Sequence, residues 1–324
     1  MAAACKSDQT PSEGYVSTGD EIVDALSAEI LKNPKAADPY FRRAEALYER
    51  ENYPLAISDL QTAMKIDSMN PDYYHLLADS YMDYYRSKEA LATMRKVLKI
   101  YPTRVASLLK LAEMEYIVQR HDVSMYNLNL IIKDHPQHAE AFFMLGMNFR
   151  ALGQVDRAIN SFQTAVEFDP ELLDAWVLLG DLYAEKGDER AIDYYNSAIM
   201  LAPDQPQMKH SKAFYLQNNG QIDEALKLYR EIVISNPDYG MAFLNSGILY
   251  LQQDSLDRAL ENFNILAGRE PTNANAFFYR GQVQFIKGNL DAAKTDLQNT
   301  LRLNPDDKDA QELLDEILME LAKG

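Results

Sequence analysis

The sequence predicts an all-α fold, because three features recur together about every 34 residues. Prolines mark one position of the period: Pro102, Pro136, Pro170, Pro203, Pro237, Pro271 and Pro305, spaced by 34 residues except for 33 between Pro170 and Pro203. Small residues mark two others: Ala44, Ala78, Ala112, Gly146, Gly180, Ala213, Gly247 and Gly281, and then Ala56, Ala90, Ser124, Ala158, Ala191, Ala225, Ala259 and Ala293. Proline cannot continue a helix, so each period is expected to hold helices that stop before its end.

The stretch 173–205 shows the pattern most completely. Trp176, Leu179, Gly180 and Tyr183 fall at i, i+3, i+4 and i+7, which places them on one stripe of a helix. A second helix and its end are marked by Ala191, Tyr195, Ala198 and Pro203. A helical pair of this size cannot bury its apolar face alone, so similar pairs are expected on both sides.

These residues resemble the tetratricopeptide pattern of W-x2-L-G-x2-Y, A-x3-F and P. The resemblance implies an α-α superhelix, or solenoid, whose first helices line a concave surface that receives a partner. Eight repeats are predicted, and they span residues 37–70, 71–104, 105–138, 139–172, 173–205, 206–239, 240–273 and 274–307. The short fifth repeat is expected to lose its residue in the turn at Gly187, Asp188 and Glu189.

Helices at both ends are predicted to cap the repeats. Residues 20–36 begin with capping chemistry at Asp20 and then place Ile22, Leu26 and Ile30 on one stripe, which indicates an N-terminal cap or partial repeat. Residues 308–324 carry leucines and isoleucine at helical spacing opposite a row of acidic residues, which is typical of a C-terminal capping helix.

Some repeats depart from the pattern. Arg43, Lys212 and Arg280 replace the usual aliphatic residue, and Glu115 stands where an aromatic residue is expected. We expect these repeats to pack less regularly. Trp176 occupies the opening core position of its repeat and is expected to be wedged between helices.

The composition is that of a globular protein with a strong negative charge. The chain of 324 residues is 47% hydrophobic and has a formal net charge of −17, with an isoelectric point near 4.7. Binding to nucleic acid or to an anionic membrane surface needs clustered Lys and Arg, so both are discounted as partners.

The N-terminal residues suggest a compartment. Ala2, Ala3 and Ala4 precede the single cysteine, Cys5, as small residues precede the lipidated cysteine of bacterial lipoproteins. This similarity makes Cys5 a lipidation candidate and predicts a bacterial cell envelope location, with residues 1–19 as a disordered tether. The alternative is a free cysteine in a flexible tail of a cytoplasmic protein.

No motif of known catalytic chemistry stands out in the sequence. The five histidines are scattered, and G-x-S-x-G, H-E-x-x-H and phosphate-binding loops are missing from the sequence. Repeats and caps are predicted to occupy everything after about residue 20. We therefore predict a protein that is not an enzyme and has no cofactor, metal or catalytic residue.

The binding surface follows from the family's geometry, in which fixed positions of each first helix face the groove. These positions are Phe41, Glu45, Tyr48, Asp72, Asp79, Asp83, Phe143, Met144, Met147, Leu178, Phe214, Asn245, Ile248, Phe278, Tyr279 and Phe285. The surface is predicted to run from acidic through apolar to amide and aromatic. For the acidic end, a solvated face is the alternative interpretation.

The predicted function is a non-enzymatic scaffold or adaptor that binds a protein or peptide segment in this groove, as part of a bacterial envelope assembly. The alternative is an accessory or regulatory subunit that positions a catalytic partner.

Overall fold

The computed structural model describes residues 19–322, and all regular secondary structure within them is helical. The predicted all-α class is therefore confirmed. The chain divides after Pro170 into two compact units. Unit 1 contains α1 (Glu21–Lys32), α2 (Ala37–Glu49), α3 (Tyr53–Ile66), α4 (Pro71–Asp83), α5 (Ser87–Ile100), α6 (Val105–Ile117), α7 (His121–Asp134), α8 (Ala139–Ala151) and α9 (Val155–Phe168). Unit 2 contains α10 (Leu173–Glu185), α11 (Ala191–Leu201), α12 (Pro206–Asn218), α13 (Ile222–Ser235), α14 (Gly240–Gln252), α15 (Leu256–Arg269), α16 (Ala274–Ile286), α17 (Leu290–Leu303) and α18 (Lys308–Leu321).

The helices come in pairs, and each predicted repeat span holds one pair. A first helix of 13 residues is followed by a second helix of 14 residues in most pairs. The recurring prolines stand two residues beyond the second helices, for example Pro170 after Phe168 and Pro305 after Leu303. Proline thus follows and stops every second helix except α3, which has Ser68 at this position.

The fifth pair differs from the others. Its second helix, α11, has only 11 residues. The sequence places the missing residue in the turn at Gly187, Asp188 and Glu189, and the structure shows that the first turn of the helix is missing as well. Residues 186–190 form a longer connection, in which Arg190 pairs with Asp188 at 2.6 Å.

Polar side chains cap several helices at their N-termini. Asp20 accepts hydrogen bonds from the backbone N–H groups of Ile22 and Val23 at 3.0 and 3.1 Å. His138, one of the two histidines in the turn of the third repeat, accepts from Ala141 at 3.3 Å. Asp307 accepts from Ala310 at 3.0 Å at the start of α18. These contacts satisfy backbone donors that have no partner inside the helix.

The recurring small residue of each first helix lies against the second helix of the same pair. A Cβ placed on Gly146 would lie 2.5 Å from Phe162 Cε1, and one on Gly180 would lie 2.5 Å from Tyr195 Cε1. Phe162 is fully buried. The small residue therefore makes room for a large buried ring within the helical pair.

The sequence predicts irregular packing around Arg43, Lys212 and Arg280. In the structure, each of these side chains forms a polar contact with another helix. Arg43 forms two hydrogen bonds of 2.7 Å with Asp59, and both side chains are buried. Arg280 pairs in the same way with Asp296, at 2.9 and 2.6 Å. Lys212 donates to Asn196 at 2.8 Å. Each cation has a polar partner on a neighbouring second helix, so the helix bounds stay regular.

The Glu115 carboxylate is likewise paired with cationic side chains. Its side chain is fully buried, and its carboxylate contacts the guanidinium groups of Arg95 and Arg120. α6 retains the usual 13 residues. An ion pair takes the place of the aromatic residue that this position was expected to hold.

Trp176 is less buried than the sequence predicts. Its indole is half-buried and lies 6.0 Å from the ring of Tyr194, which stacks on Tyr183 at 5.0 Å. The ring contacts the second helix of its pair through Tyr194, but it is not fully buried.

The predicted tether and the lipidation candidate Cys5 lie outside the described residues, apart from Gly19 at the end of the tether. Within residues 19–322, no helix combines the length and the apolar character needed to cross a bilayer.

Candidate partner-binding groove

Several first helices of successive pairs contact each other within each unit. In unit 1, α2 contacts α4, α4 contacts α6, and α6 contacts α8. In unit 2, α10 contacts α12, and α14 contacts α16. We call the surface presented by these first helices the inner face of each unit. All the groove residues predicted from the sequence lie on these helices.

Glu45 is an exposed carboxylate on the inner face of unit 1. Nearby arginines are committed elsewhere, since Arg42 pairs with Glu29 at 3.3 Å and Arg50 pairs with Asp20. Desolvation, and after it the charge of Glu49, raises the pKa of Glu45. This part of the inner face is therefore rich in negative charge and would favour a cationic group.

The rest of the predicted acidic end is partly neutralised. Lys110 reaches from α6 to Asp79 on α4, with Nζ 2.6 and 2.7 Å from the two carboxylate oxygens. Arg104 lies 3.4 Å from Asp72. The sequence projection missed these two cations because Lys110 comes from the following repeat and Arg104 stands at the N-cap of α6, outside the first-helix positions that were projected. The acidic end is consequently smaller than the sequence predicts.

His75 lies on α4 in the same region of the inner face. Its Nε2 lies 2.8 Å from Ser107 Oγ on α6. Burial, followed by the charges of Lys110 and Arg104, lowers the pKa of His75. The imidazole is therefore neutral near pH 7 and links α4 to α6 through a hydrogen bond.

The two aromatic residues predicted for the first repeat make different contacts with α4. Phe41 is half-buried, with its ring centroid 4.9 Å from that of Tyr73 on α4. Tyr48 donates a hydrogen bond of 2.5 Å to Asp83 Oδ2 on α4. Phe41 thus belongs largely to the packing between repeats, whereas Tyr48 lies at the end of the helix near the turn.

The apolar centre of the predicted groove lies at the end of unit 1. Phe143, Met144 and Met147 are half-buried on α8. The Phe143 ring lies 5.6 Å from the buried ring of Phe162, and Phe143 itself is only partly covered. These three side chains offer apolar contact without being fully used by the repeat.

In unit 2, Leu178 is half-buried on α10 and Phe214 is the most open aromatic residue of the predicted set, at 47% exposure. The Phe214 ring stacks on His210 with centroids 6.3 Å apart. Burial lowers the pKa of His210. A neutral imidazole therefore supports an exposed phenyl ring on this inner face.

The placement of Asn245 on an exposed groove is wrong. Asn245 is only 6% exposed, and its Nδ2 lies 3.0 Å from His210 Nε2 and 3.1 Å from the hydroxyl of Tyr229. Tyr229 in turn donates to Gln217 at 3.0 Å. Asn245 is part of a buried polar network, so its amide is not available to a partner.

The remaining predicted groove residues pack against the core of unit 2 and are also partly exposed on its surface. Phe278 and Phe285 pack against the cluster around Leu297 and Ile317 that joins α16 to α17 and α18. Ile248 and Tyr279 pack against the cluster around Phe263. All four side chains are half-buried, so the late inner face is aromatic, and the buried Asn245 adds no amide group to it.

The inner faces offer apolar contact and a limited patch of carboxylates, which suits binding of a polypeptide segment. Across residues 19–322, no group of three or more His, Cys, Asp and Glu side chains is placed to hold a metal ion. Stacked helical pairs with such a face define the class of helical-repeat interaction scaffolds.

Comparison with known sequences identifies the family. A model described as TPR repeat matches residues 44–83 and 146–187. Models described as tetratricopeptide repeat match residues 212–274 and 244–308, and residues 71–104 and 173–205. Together these segments cover more than half of the chain. The chain belongs to the tetratricopeptide repeat family, as its sequence pattern predicted.

Individual relatives are distant. The TPR repeat-containing protein YpiA of Bacillus subtilis is 22% identical over 268 residues, which cover 81% of this chain and 62% of YpiA. The human protein O-mannosyl-transferase TMTC1 is 26% identical over 212 residues, which cover 53% of this chain and 24% of TMTC1. The chain thus spans less than two thirds of the length of these relatives.

A solved structure agrees with the fold. The C-terminal part of a TPR repeat-containing protein from Cytophaga hutchinsonii has a TM-score of 0.53 and 17% identity, covering 84% of this chain and 98% of that one. At this identity the likeness shows the fold alone.

Proposed function

We propose that this chain is a non-enzymatic scaffold that binds a segment of a partner protein on the inner faces of its repeats. The observation that carries the proposal is the set of apolar side chains left partly open there, chiefly Phe143, Met144 and Met147 in unit 1 and Phe214 in unit 2. Open apolar groups on a face lined by several helices are typical of interaction surfaces. Flexible methionines would allow the surface to adapt to its partner.

The carboxylates of the first repeat would set the direction of the bound segment. Glu45 and Glu49 are exposed on α2, where Glu49 has only a distant ion pair of 3.9 Å with Arg50, whereas Lys110 holds Asp79 at 2.6 Å. A partner segment with basic residues at one end and apolar residues beyond would match this arrangement. Charges of this kind mainly accelerate and orient the encounter.

A second candidate function is that of an accessory subunit that positions a catalytic partner. It is favoured by the match to TMTC1, which is named a transferase and of which this chain covers 24%. In that case the partner held on the inner face would itself be the enzyme, and adding this chain would change the partner's activity.

The inner face can be tested with paired variants in unit 1. Phe143→Ala with Met147→Ala should weaken binding of the native partner about tenfold, mainly through faster release, because it removes apolar contact at the centre of the interface. The partner would first be identified by co-purification from the native organism. Its association and dissociation would then be measured by surface plasmon resonance, with circular dichroism to verify folding.

Tyr126→Ala is the matched control, since Tyr126 is a 63% exposed aromatic residue on the second helix α7. It should bind like the wild type. If Tyr126→Ala abolishes binding while the inner-face variant binds normally, the partner occupies the outer helices and the proposal is wrong.

The compartment is a further part of the proposal. We propose that the protein works in a bacterial envelope assembly, anchored by a lipid on Cys5, because Ala2 to Ala4 precede this cysteine. The natural protein, expressed from its complete gene, should then sediment with membranes, and Cys5→Ser should release it to the soluble fraction. Sedimentation that is unchanged by Cys5→Ser would leave the cytoplasmic alternative or another anchor.

A further inference from the structure

Four tyrosines gather at the turns of the first two helical pairs in unit 1. Tyr48 lies at the end of α2, Tyr53 opens α3, and Tyr84 and Tyr85 follow α4. The ring centroids of Tyr48 and Tyr53 lie 5.7 Å apart, and those of Tyr53 and Tyr84 lie 6.5 Å apart. We call Tyr48, Tyr53, Tyr84 and Tyr85 the tyrosine edge.

Two of these rings contribute little to the packing of the repeats. Tyr85 is 96% exposed and Tyr84 is 45% exposed. Tyr85 also has a positive φ of 58°. At the matching turn position other pairs carry glycine or a polar residue: Glu51, Gln119, Gly153, Gly187, Gly220, Asp254 and Gly288. An aromatic ring at this position is therefore not required by the fold.

Carboxylates surround the tyrosine edge, and the neighbouring cations are already paired. Asp83 accepts a hydrogen bond from the Tyr48 hydroxyl at 2.5 Å. Arg86, next to Tyr85, pairs with Glu89 at 2.7 Å. Among the described residues Asp83 forms no ion pair. Desolvation, followed by the charges of Asp83 and Glu51, raises the pKa of Tyr53.

We propose that the tyrosine edge binds a cationic side chain, lysine or arginine, of an extended segment of the partner protein. The faces of aromatic rings attract cations, and an unpaired carboxylate beside them adds a direct ionic contact. The charge of −17 makes a second copy of this chain a poor occupant of the same edge. The inference rests on the proposed function only in taking the occupant to be a protein, and it places the basic residues of that partner at the turns.

The fold allows a substitution that removes the ring without straining the backbone. Tyr85→Gly installs the residue that four other turns use at this position, and glycine adopts positive φ freely. Thermal unfolding of this variant should match or exceed that of the wild type. If this variant binds less tightly, the loss would then be due to the missing aromatic ring and not to a change in the backbone.

Binding can be measured with a blocked Gly-Arg-Gly-Arg-Gly peptide as the probe. We would titrate it at low ionic strength into the full chain with isotopically labelled tyrosine rings and follow the ring signals by NMR. We expect saturable shifts of the Tyr53, Tyr84 and Tyr85 signals and none with Gly-Glu-Gly-Glu-Gly. Tyr85→Gly should weaken binding about two- to fivefold, and Asp83→Asn should weaken it about twofold or more.

Two matched variants control for turn geometry and for general attraction to an acidic chain. Gln119→Gly makes the same change at the next turn, where φ is 61°. Asp309→Asn removes an exposed charge at the start of α18. Neither should change the affinity for the arginine peptide. The inference is overturned if the tyrosine signals do not shift, if Tyr85→Gly binds like the wild type, or if Asp309→Asn weakens binding as much as Asp83→Asn.

This test is separable from that of the proposed function. The probe carries no apolar anchor, so Phe143→Ala with Met147→Ala should leave its affinity unchanged. If the tyrosine edge ignores the peptide while the inner-face variant still loses the native partner, this inference is wrong and the scaffold proposal stands. If the peptide binds as expected but the inner-face variant retains its partner, the reverse holds.

Discussion

Replacing Gly146 by Ala should lower the free energy of unfolding by about 1–3 kcal/mol, although alanine is the better helix former. The added Cβ would lie 2.5 Å from Phe162 Cε1, and the Phe162 ring is fully buried. The ring has no room to move aside, so the two helices of the pair must separate or the ring must leave its rotamer. Urea unfolding followed by circular dichroism would measure the loss.

A second substitution should rescue the first. Gly146→Ala with Phe162→Leu recreates the combination found in the preceding pair, where Ala112 and Leu128 are both fully buried. The double variant should therefore be more stable than the sum of the single changes predicts, with a coupling of at least about 1 kcal/mol. Additive losses would mean that Gly146 is small for a reason other than the Phe162 ring.

The sequence predicted where the small residues fall, but not why some are glycine and others alanine. Gly146, Gly180 and Gly247 each face an aromatic ring, at Phe162, Tyr195 and Phe263. Whether the position holds glycine or alanine depends on which side chain of the second helix lies opposite it. That side chain can be identified only when the register of the two helices is known. The rule is not strict, because Ala213 shares a buried cluster with Tyr229.

The groove was less predictable than the helices. Helix type and length follow from local periodicity, which one sequence shows directly. The charge of the inner face depends on contacts between repeats, such as Lys110 with Asp79, and on burial, such as that of Asn245. Projection of fixed positions therefore placed these residues on the first helices, but it overestimated the acidity of the inner face and counted the buried Asn245 as part of it.

Arg43 shows the same limit for the core. An arginine in place of an aliphatic residue predicted loose packing, yet its partner Asp59 stands 16 residues further along, and Arg280 and Asp296 repeat that separation. The pairing could have been inferred by searching the second helix for a carboxylate at the same register. Polar residues in a repeat core are best interpreted together with the residue that the opposite helix supplies.

Removing the Arg43 side chain is the change with the largest expected effect. Arg43→Met should lower the free energy of unfolding by about 3–5 kcal/mol, because it leaves the buried Asp59 carboxylate without its cation. The side chains of Arg43 and Asp59 are only 3% and 8% exposed. Arg280→Met is the matched comparison in unit 2, and it should cost less because the Arg280 side chain is 22% exposed. Urea unfolding at pH 7 would measure both.

The loss in unfolding free energy caused by Arg43→Met should become smaller as pH falls. Burial raises the pKa of Asp59 even with Arg43 in place, so protonating this carboxyl favours the folded state. That gain is complete below the pKa of the unfolded chain, about 3.9, and is lost as pH rises through the raised folded pKa. The deficit of Arg43→Met relative to the wild type should therefore shrink as pH falls from 7 towards 4. Arg43→Met with Asp59→Leu removes both charges and should recover most of the stability at pH 7, and its own free energy of unfolding should lack the pH dependence that Asp59 contributes. A deficit in Arg43→Met that stays constant with pH would show that the guanidinium stabilises this core by its packing rather than by its charge.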